Sequence, residues 1–317
     1  MFLRIQTAFK KITVSQWVLV VLCLLAFGTS MGSWFITPPD GRNPDWWTSW
    51  LQNFSTEMFG AISTFILFEL IIGRSEKTQV RIEEIQRRKA DMIRRLRSGD
   101  LGNAKVALVE ARDNGWLQDG TLADADLEDA NLEGMNLQGA NLAHVTLERA
   151  NLSKANLERA NLSKANLSEA NLSEANLDEA YLNKANLRGA NLSKANVIST
   201  NLEGANLTHV NLKESWLVAS DLEGADLKQA NLSYTYLESA WLMKTCLEDA
   251  NLEGAELGEA RLWGANLNGA IFKHATLPDR TTWTTQTDMG RFTDKTHPHF
   301  FCSEDDLDML KWFYSNN

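Results

Sequence analysis

Residues 150–180 read ANLSKANLERANLSKANLSEANLSEANLDEA, with a leucine at every fifth position. An α-helix turns about 100° per residue, so leucines five residues apart would be spread around its whole circumference. In a β-strand, neighbouring residues face opposite sides, so successive leucines would alternate between its two faces. The spacing therefore predicts short extended steps separated by turns, coiled around a common axis as a solenoid.

The five-residue period continues without interruption from residue 120 to residue 279. The central leucine recurs from Leu122 to Leu277 and is replaced only by Val197 and Phe272, which gives 32 pentads. Two residues earlier, alanine dominates; the exceptions include Met135, Val145, Thr200, Val210, Ser215, Ser220, Thr235 and Thr245. We expect leucine to fill the axis, alanine to leave room at the corners, and the asparagine before each leucine to hydrogen-bond between coils.

This pattern, A-(N/D)-L-x-x over half of the chain, resembles the pentapeptide-repeat family. The resemblance implies a β fold: a right-handed, four-sided β-helix in which four pentads form one coil. The 32 pentads would then form about eight coils. At about 4.8 Å per stacked strand, the solenoid would be roughly 38 Å long.

Residues 1–74 are predicted to form a two-span transmembrane hairpin. Residues 12–36 carry no charge and are numerous enough for a membrane-spanning helix, and a cleaved signal peptide is the less favoured interpretation. Residues 58–73 would form the return span, preceded by interfacial tryptophans. Basic residues flank both spans on their outer sides, so we expect both termini and the solenoid to lie in the cytoplasm, with the hairpin in the inner cell membrane.

Three residues of these spans are candidates for packing or polar roles. Gly28 and Gly32 form a G-x-x-x-G pair, which suits either packing within the hairpin or dimerisation. Glu69 is ionisable and lies inside the second span. We favour a position near the headgroups for its carboxylate over a role in a polar pathway.

Residues 75–119 are predicted to be a helical linker and the N-terminal cap of the solenoid. Ile82, Ile85, Met92 and Leu96 follow a coiled-coil-like spacing that Lys89 interrupts. This helix would pair subunits, pack on a neighbour or approach anionic headgroups with its basic residues. Residues 100–116 would form a lid over the first coil, with the apolar residues Leu101, Val106, Leu108 and Val109.

Residues 280–317 lose the period and are predicted to cap the other end. They contribute Trp283, Phe292, Phe300 and Phe301, and then a short apolar helix over residues 307–314. His297, His299 and Cys302 have the spacing H-x-H-x-x-C, but we favour capping because a fourth metal ligand is missing nearby. We expect no metal and no cofactor.

Four pentads per coil place residues 20 apart in one column. On this basis, large apolar residues gather on neighbouring faces of the C-terminal coils and form a predicted interaction patch: Ile198, Trp216, Val218, Tyr234, Tyr236, Trp241, Met243 and Trp263. Such a patch is typical of a partner or self-association site. The alternative is that the tail folds back and buries it.

The sequence predicts an interaction protein rather than an enzyme, because no catalytic constellation or phosphate-binding loop is evident. We expect a membrane-anchored scaffold that binds an unknown protein or a second copy of itself, with no evident small-molecule substrate. One alternative is an oligomeric pore with Glu69 in its lining. The other, which the family resemblance implies, is DNA mimicry towards type II topoisomerases. We disfavour it because 12 basic residues are interleaved with the 23 acidic residues of the repeat, and we do not expect direct nucleic-acid binding.

Overall fold

The computed structural model describes residues 46–301 of the 317-residue chain. The chain divides between Gln86 and Arg87 into two compact units. The described helices are α1 (Trp46–Arg97), α2 (Leu101–Asp113) and α3 (Gly290–Thr293). Between α2 and α3, the backbone forms a β-helix.

The β-helix is built from short parallel bridges between residues 20 apart. The bridges begin with Asp126 and Thr146 and end with Glu256 and Thr276, and each involves the residue before a central leucine. Each bridge joins a pentad to the fourth pentad after it, so each coil has four sides. The four-sided architecture predicted from the sequence is confirmed.

Each corner of the coil is a tight turn. Within a pentad, the leucine carbonyl accepts a hydrogen bond from the residue three positions later, as in Ala165 N–H to Leu162 O at 3.0 Å. The second residue after the leucine has a positive φ, for example +57° at Lys164, as in a type II turn. A non-glycine residue in this conformation costs about 1–2 kcal/mol. Hydrogen bonds to the next coil offset that cost: the same amide of Lys164 donates to Asn183 O at 3.0 Å.

The leucines and alanines form the core, as predicted. Leu167 and Ala165 are fully buried, and the same positions are buried along the repeat until the last coil, where Leu267 is only partly buried. Threonine or serine replaces alanine at five of these buried positions without leaving a hydroxyl unpaired. The hydroxyl of Thr200, for example, donates to the carbonyl of Leu177 at 2.7 Å.

The end of α1 together with α2 covers the first coil. Met92 and Leu96 of α1 are buried, and α2 buries Ala104, Ala107, Leu108 and Ala111. Val106 and Val109, which the sequence analysis named among the apolar residues of this lid, are 62% and 56% exposed. Small alanines form the inner face of α2 instead, which lets the helix lie close to the coil.

Lys89 takes part in this cap. Its Nζ lies 2.7 Å from Oδ2 of Asp119 and 5.7 Å from the ring centre of Trp116. The coiled-coil-like stripe of α1 is therefore divided: Met92 and Leu96 pack in the cap, whereas Ile82 and Ile85 are exposed. Lys89, which interrupts the apolar pattern, lies between the exposed and the buried parts of this stripe.

The segment after the repeat covers the last coil. Thr282 pairs antiparallel with Thr276, and Phe292 of α3 is 2% exposed. The rings of Phe292 and Phe301 meet edge to face at 5.8 Å. The amide of Gly264 in the last coil donates to Thr293 O at 2.7 Å, which joins this segment to the solenoid.

Within residues 46–301, no helix combines the length and the apolar character needed to cross a membrane. The prediction that residues 58–73 span a membrane is thus not supported. The first predicted span, with Gly28 and Gly32, lies outside the described residues, as do Cys302 and the predicted helix at 307–314. Glu69 is part of α1, and its side chain also lies outside what the structure describes.

An exposed aromatic surface on the C-terminal coils

The side chain before each central leucine points outwards, and in most coils it is asparagine. These asparagines form ladders: Nδ2 of Asn171 donates to Oδ1 of Asn151 at 3.3 Å, and Asn191 donates in turn to Asn171. Their Oδ1 atoms also accept the amide two residues later, as in Ser173 N–H to Asn171 at 3.2 Å. The predicted hydrogen bonding of asparagine between coils is confirmed. Because these bonds hold the asparagine side chains in place, the outer faces of the solenoid have little conformational freedom.

On two neighbouring faces, aromatic residues replace the asparagine. One column runs through Asn196, Trp216 and Tyr236, and the next face contains Asp221, Trp241 and Arg261 in the same positions. Trp216, Tyr236 and Trp241 are 50%, 42% and 41% exposed. The rigid backbone beneath them is fully paired, so they are held outwards at fixed spacings of about 4.8 Å along a column.

Tyr234 joins these residues from the corner of its coil. It lies two residues after Leu232, has a φ of +57° and is 49% exposed. Trp216, Tyr234, Tyr236 and Trp241 are named the aromatic surface below. All four were part of the predicted interaction patch.

The remaining members of the predicted patch are less accessible. Ile198 and Val218 are half-buried beside the Trp216 column, and Met243 is only 5% exposed. Lys244 and Lys295 lie over the ring of Trp263, with their Nζ atoms 5.2 and 3.6 Å from its centre. The tail therefore reaches Trp263, while the described part of the tail leaves the four residues of the aromatic surface exposed.

A groove lies along the corner that Tyr234 occupies, beside the column of Trp216 and Tyr236. It is lined by Trp216, Tyr234 and Tyr236 together with the charged residues Glu174, Lys194 and Glu214. The three charged residues were not singled out from the sequence. The signal that could have found them is their recurrence at every fourth pentad, which continues to Tyr234 and places all four in one corner column.

Elsewhere on the solenoid, acidic and basic residues pair between coils. Arg159 Nε lies 2.7 Å from Glu179, and Lys228 Nζ lies 2.8 Å from Glu248. The hydrogen bond from Arg159 lowers the pKa of Glu179, and the hydrogen bond to Glu248 raises the pKa of Lys228. Such pairs break up the acidic charge that DNA mimicry requires.

Among the described residues, no group of three or more histidine, cysteine, aspartate or glutamate side chains is placed to hold a metal ion. His297 instead contacts Asp288 through Nε2 at 2.9 Å. Its Nδ1 accepts the amide of His299 at 3.1 Å. Both ring nitrogens are thus engaged in local contacts of the C-terminal segment.

The sequence profile described as "Pentapeptide repeats" matches eight copies in segments that together cover residues 125–279. The fold typical of these repeats is the right-handed β-helix. Among curated proteins, none matches the chain significantly.

Several solved structures are similar to this chain. HetL, a pentapeptide repeat protein involved in heterocyst differentiation regulation from the cyanobacterium Nostoc sp. strain PCC 7120, is 28% identical; the match covers 56% of this chain and 98% of HetL, with a TM-score of 0.38. QnrB1, a plasmid-mediated fluoroquinolone resistance protein, is 15% identical over 61% of this chain and 95% of its own, with a TM-score of 0.35. Another pentapeptide repeat protein from Nostoc PCC 7120 is 31% identical over 38% of this chain and 78% of its own, with a TM-score of 0.15.

Proposed function

Because the repeat region of this chain belongs to the pentapeptide-repeat family, we propose that the protein is a scaffold whose solenoid presents the aromatic surface to a protein partner. The observation that carries this proposal is the exposure of Trp216, Tyr234, Tyr236 and Trp241, at 41–50%, on adjoining coils. Aromatic residues are enriched at protein interfaces and supply much of their binding energy.

The rigidity of the solenoid supports this role. Trp216 N–H donates to Ala195 O of the preceding coil at 3.0 Å, and Leu217 N–H donates to Tyr236 O of the following coil at 2.7 Å, so the backbone that holds Trp216 is bonded on both sides. Little conformational entropy of the backbone is then lost when a partner binds. A surface of this kind suits recognition by fixed shape rather than by induced folding.

Site-specific photo-crosslinking in cells tests the proposal. The full-length chain would carry p-benzoylphenylalanine in place of Tyr236, and a matched variant would carry it in place of Tyr181. Tyr181 is a suitable control because it is 54% exposed, lies in the same position of its pentad and belongs to the N-terminal coils. We expect an adduct of discrete mass from position 236, lost when Trp216→Ser is added, and none from position 181.

The mass of that adduct distinguishes a different protein from a second copy of this chain. Light scattering on the purified protein, with and without Trp216→Ser, gives an independent measure of self-association. Equal crosslinking from positions 181 and 236, or an adduct unaffected by Trp216→Ser, would overturn the proposal.

We further propose that residues 12–36 attach the protein to the inner cell membrane with the solenoid in the cytoplasm. The absence of charge from this stretch supports attachment, and the nine basic residues from Arg74 to Arg97 support a cytoplasmic position for the chain that leads into the solenoid. Extraction of membranes with carbonate should leave the protein in the pellet, and a C-terminal fluorescent protein should fold and fluoresce. Release into the supernatant, or activity of a C-terminal alkaline phosphatase fusion, would contradict this arrangement.

A further inference from the structure

The groove beside the aromatic surface combines aromatic rings with carboxylates. Trp216, Tyr234 and Tyr236 line it together with Glu174, Lys194 and Glu214. Aromatic faces and carboxylates both attract cations, the rings through their quadrupole and the carboxylates through their charge. The groove therefore has the chemistry of a site for a positively charged group.

The other tryptophans on these faces show what such rings bind in this protein. Arg261 lies over the ring of Trp241, with its guanidinium carbon 5.1 Å from the centre. Trp263 is contacted by both Lys244 and Lys295. Among the described residues, no cation lies over Trp216, although it is the most exposed of the three.

The carboxylates of the groove differ in how far they are neutralised. Glu214 lies 3.8 Å from Lys194 Nζ and 3.4 Å from Lys213 Nζ. Glu174 forms no ion pair with any described residue, and its corner position leaves it exposed. The lining thus contains two carboxylates and one ammonium group, and an additional positive charge would balance it.

We propose that this groove binds an arginine side chain of the partner protein, stacked on Trp216 and paired with Glu174. The inference rests on the proposed function and specifies the chemistry of the partner. A guanidinium suits the groove better than an ammonium, because it is planar, stacks on aromatic faces and donates two parallel hydrogen bonds to a carboxylate. Tyr234 at the corner and Tyr236 on the adjoining face limit the position of the bound side chain.

Fluorine NMR on the full-length protein labelled with 5-fluorotryptophan tests the proposal. The resonance of Trp216 would be assigned as the one missing in Trp216→Phe. The probes are two capped tripeptides, acetyl-Gly-Arg-Gly-amide and the same peptide with citrulline, which has the shape of arginine without its charge. We expect the arginine peptide to shift the Trp216 resonance saturably, and the citrulline peptide to bind at least about fivefold more weakly.

A pair of variants locates the interaction. Glu174→Gln should weaken binding of the arginine peptide about fivefold or more and reduce its dependence on salt. Glu169→Gln is the matched control, because Glu169 has the same corner position in its pentad but does not line the groove. This control should bind the arginine peptide as the unchanged protein does.

The proposal is overturned if the arginine peptide causes no saturable shift, or if the citrulline peptide binds equally well. A crosslink from position 236 that persists in that case would leave the scaffold function intact and show that the partner is recognised by apolar contacts. If the crosslink is absent while the arginine peptide binds, the groove is a cation site without the proposed protein partner on the surrounding surface.

Discussion

The ring of Tyr234 occupies the space above Gly254, which lies one coil further at the same corner of the solenoid. A Cβ atom at Gly254 would lie 2.6 Å from Cε1 of Tyr234 and 2.7 Å from its Cδ1. Carbon atoms that are not bonded to each other do not approach so closely, so any side chain at position 254 would displace the ring. The orientation of one member of the aromatic surface thus depends on the absence of a side chain in the next coil.

Gly254→Ala is expected to destabilise the solenoid and move Tyr234 out of the groove. Strain at the φ of +64° accounts for about 1–2 kcal/mol of the loss, and the clash adds to it. Gly224→Ala is the matched control, with a φ of +67° and no atom within 4 Å of the added Cβ. Urea unfolding should show a larger loss in the free energy of unfolding for Gly254→Ala than for Gly224→Ala. Equal losses would contradict the contact between position 254 and the Tyr234 ring.

Lys89→Met should loosen the N-terminal cap. The change removes the ion pair with Asp119 and the contact with the Trp116 ring, which we expect to lower the free energy of unfolding by about 1 kcal/mol. Hydrogen exchange of the amides around residue 117 should accelerate correspondingly. The control is Arg87→Met on the exposed side of α1, for which we expect almost no change, and a similar acceleration in both variants would argue against a role for Lys89 in the cap.

Asn171→Ala should interrupt an asparagine ladder in the middle of the solenoid. Asn171 donates to Asn151, accepts from Asn191 and accepts the amide of Ser173, and all three hydrogen bonds are lost. We expect a loss of about 1–3 kcal/mol in the free energy of unfolding. Ser173→Ala serves as a control because it alters a half-buried neighbour outside the ladder, and a loss as large as that of Asn171→Ala would show that the ladder is not the cause.

The Asp119 carboxylate gives the cap a dependence on pH. Burial alone would raise the pKa of Asp119, but hydrogen bonds from Lys89 and Thr121 outweigh it and the pKa is lowered. Since the folded pKa lies below the unfolded value, the ionised group stabilises the fold above about pH 4 and loses this effect as the pH falls through the folded pKa. The difference in melting temperature between the unchanged protein and Asp119→Asn should be constant from about pH 7 to 5 and shrink below about pH 4.

If the difference in melting temperature between the unchanged protein and Asp119→Asn did not shrink at low pH, the stabilising role of the ionised Asp119 would be contradicted. Asp113→Asn provides the comparison, since Asp113 is exposed at the end of α2. We expect its melting temperature to follow that of the unchanged protein over the whole range.

The repeat was predictable because its interactions are periodic. Each core leucine meets other leucines in the same geometry, so one pentad determines all the others, and the columns that contain Trp216, Tyr236 and Trp241 follow from counting four pentads to a coil. Exceptions such as Thr200 were visible in the sequence, but their hydroxyl partners, main-chain carbonyls, have no sequence signal.

The caps were less predictable because their contacts occur once. The sequence placed Val106 and Val109 in the lid without indicating which face of α2 meets the coil. The helix approaches the coil through alanines, and only the packing geometry decides between these faces. Lys89 was taken as an interruption of a stripe, since its partners Asp119 and Trp116 follow only after the whole of α2 in the sequence. Similarly, the cover that Lys295 provides to Trp263 depends on where the aperiodic tail turns.

The bridges between residues 20 apart also determine how the molecule tolerates insertions. A duplicated block of four pentads between the N-terminal cap and residue 216 would carry the aromatic residues about 4.8 Å along the axis without changing their direction. One added pentad would instead turn them by a quarter revolution relative to α2. The gain or loss of a single pentad would thus change the direction in which the aromatic surface faces. The gain or loss of a whole coil would change only its distance along the axis from the N-terminal cap.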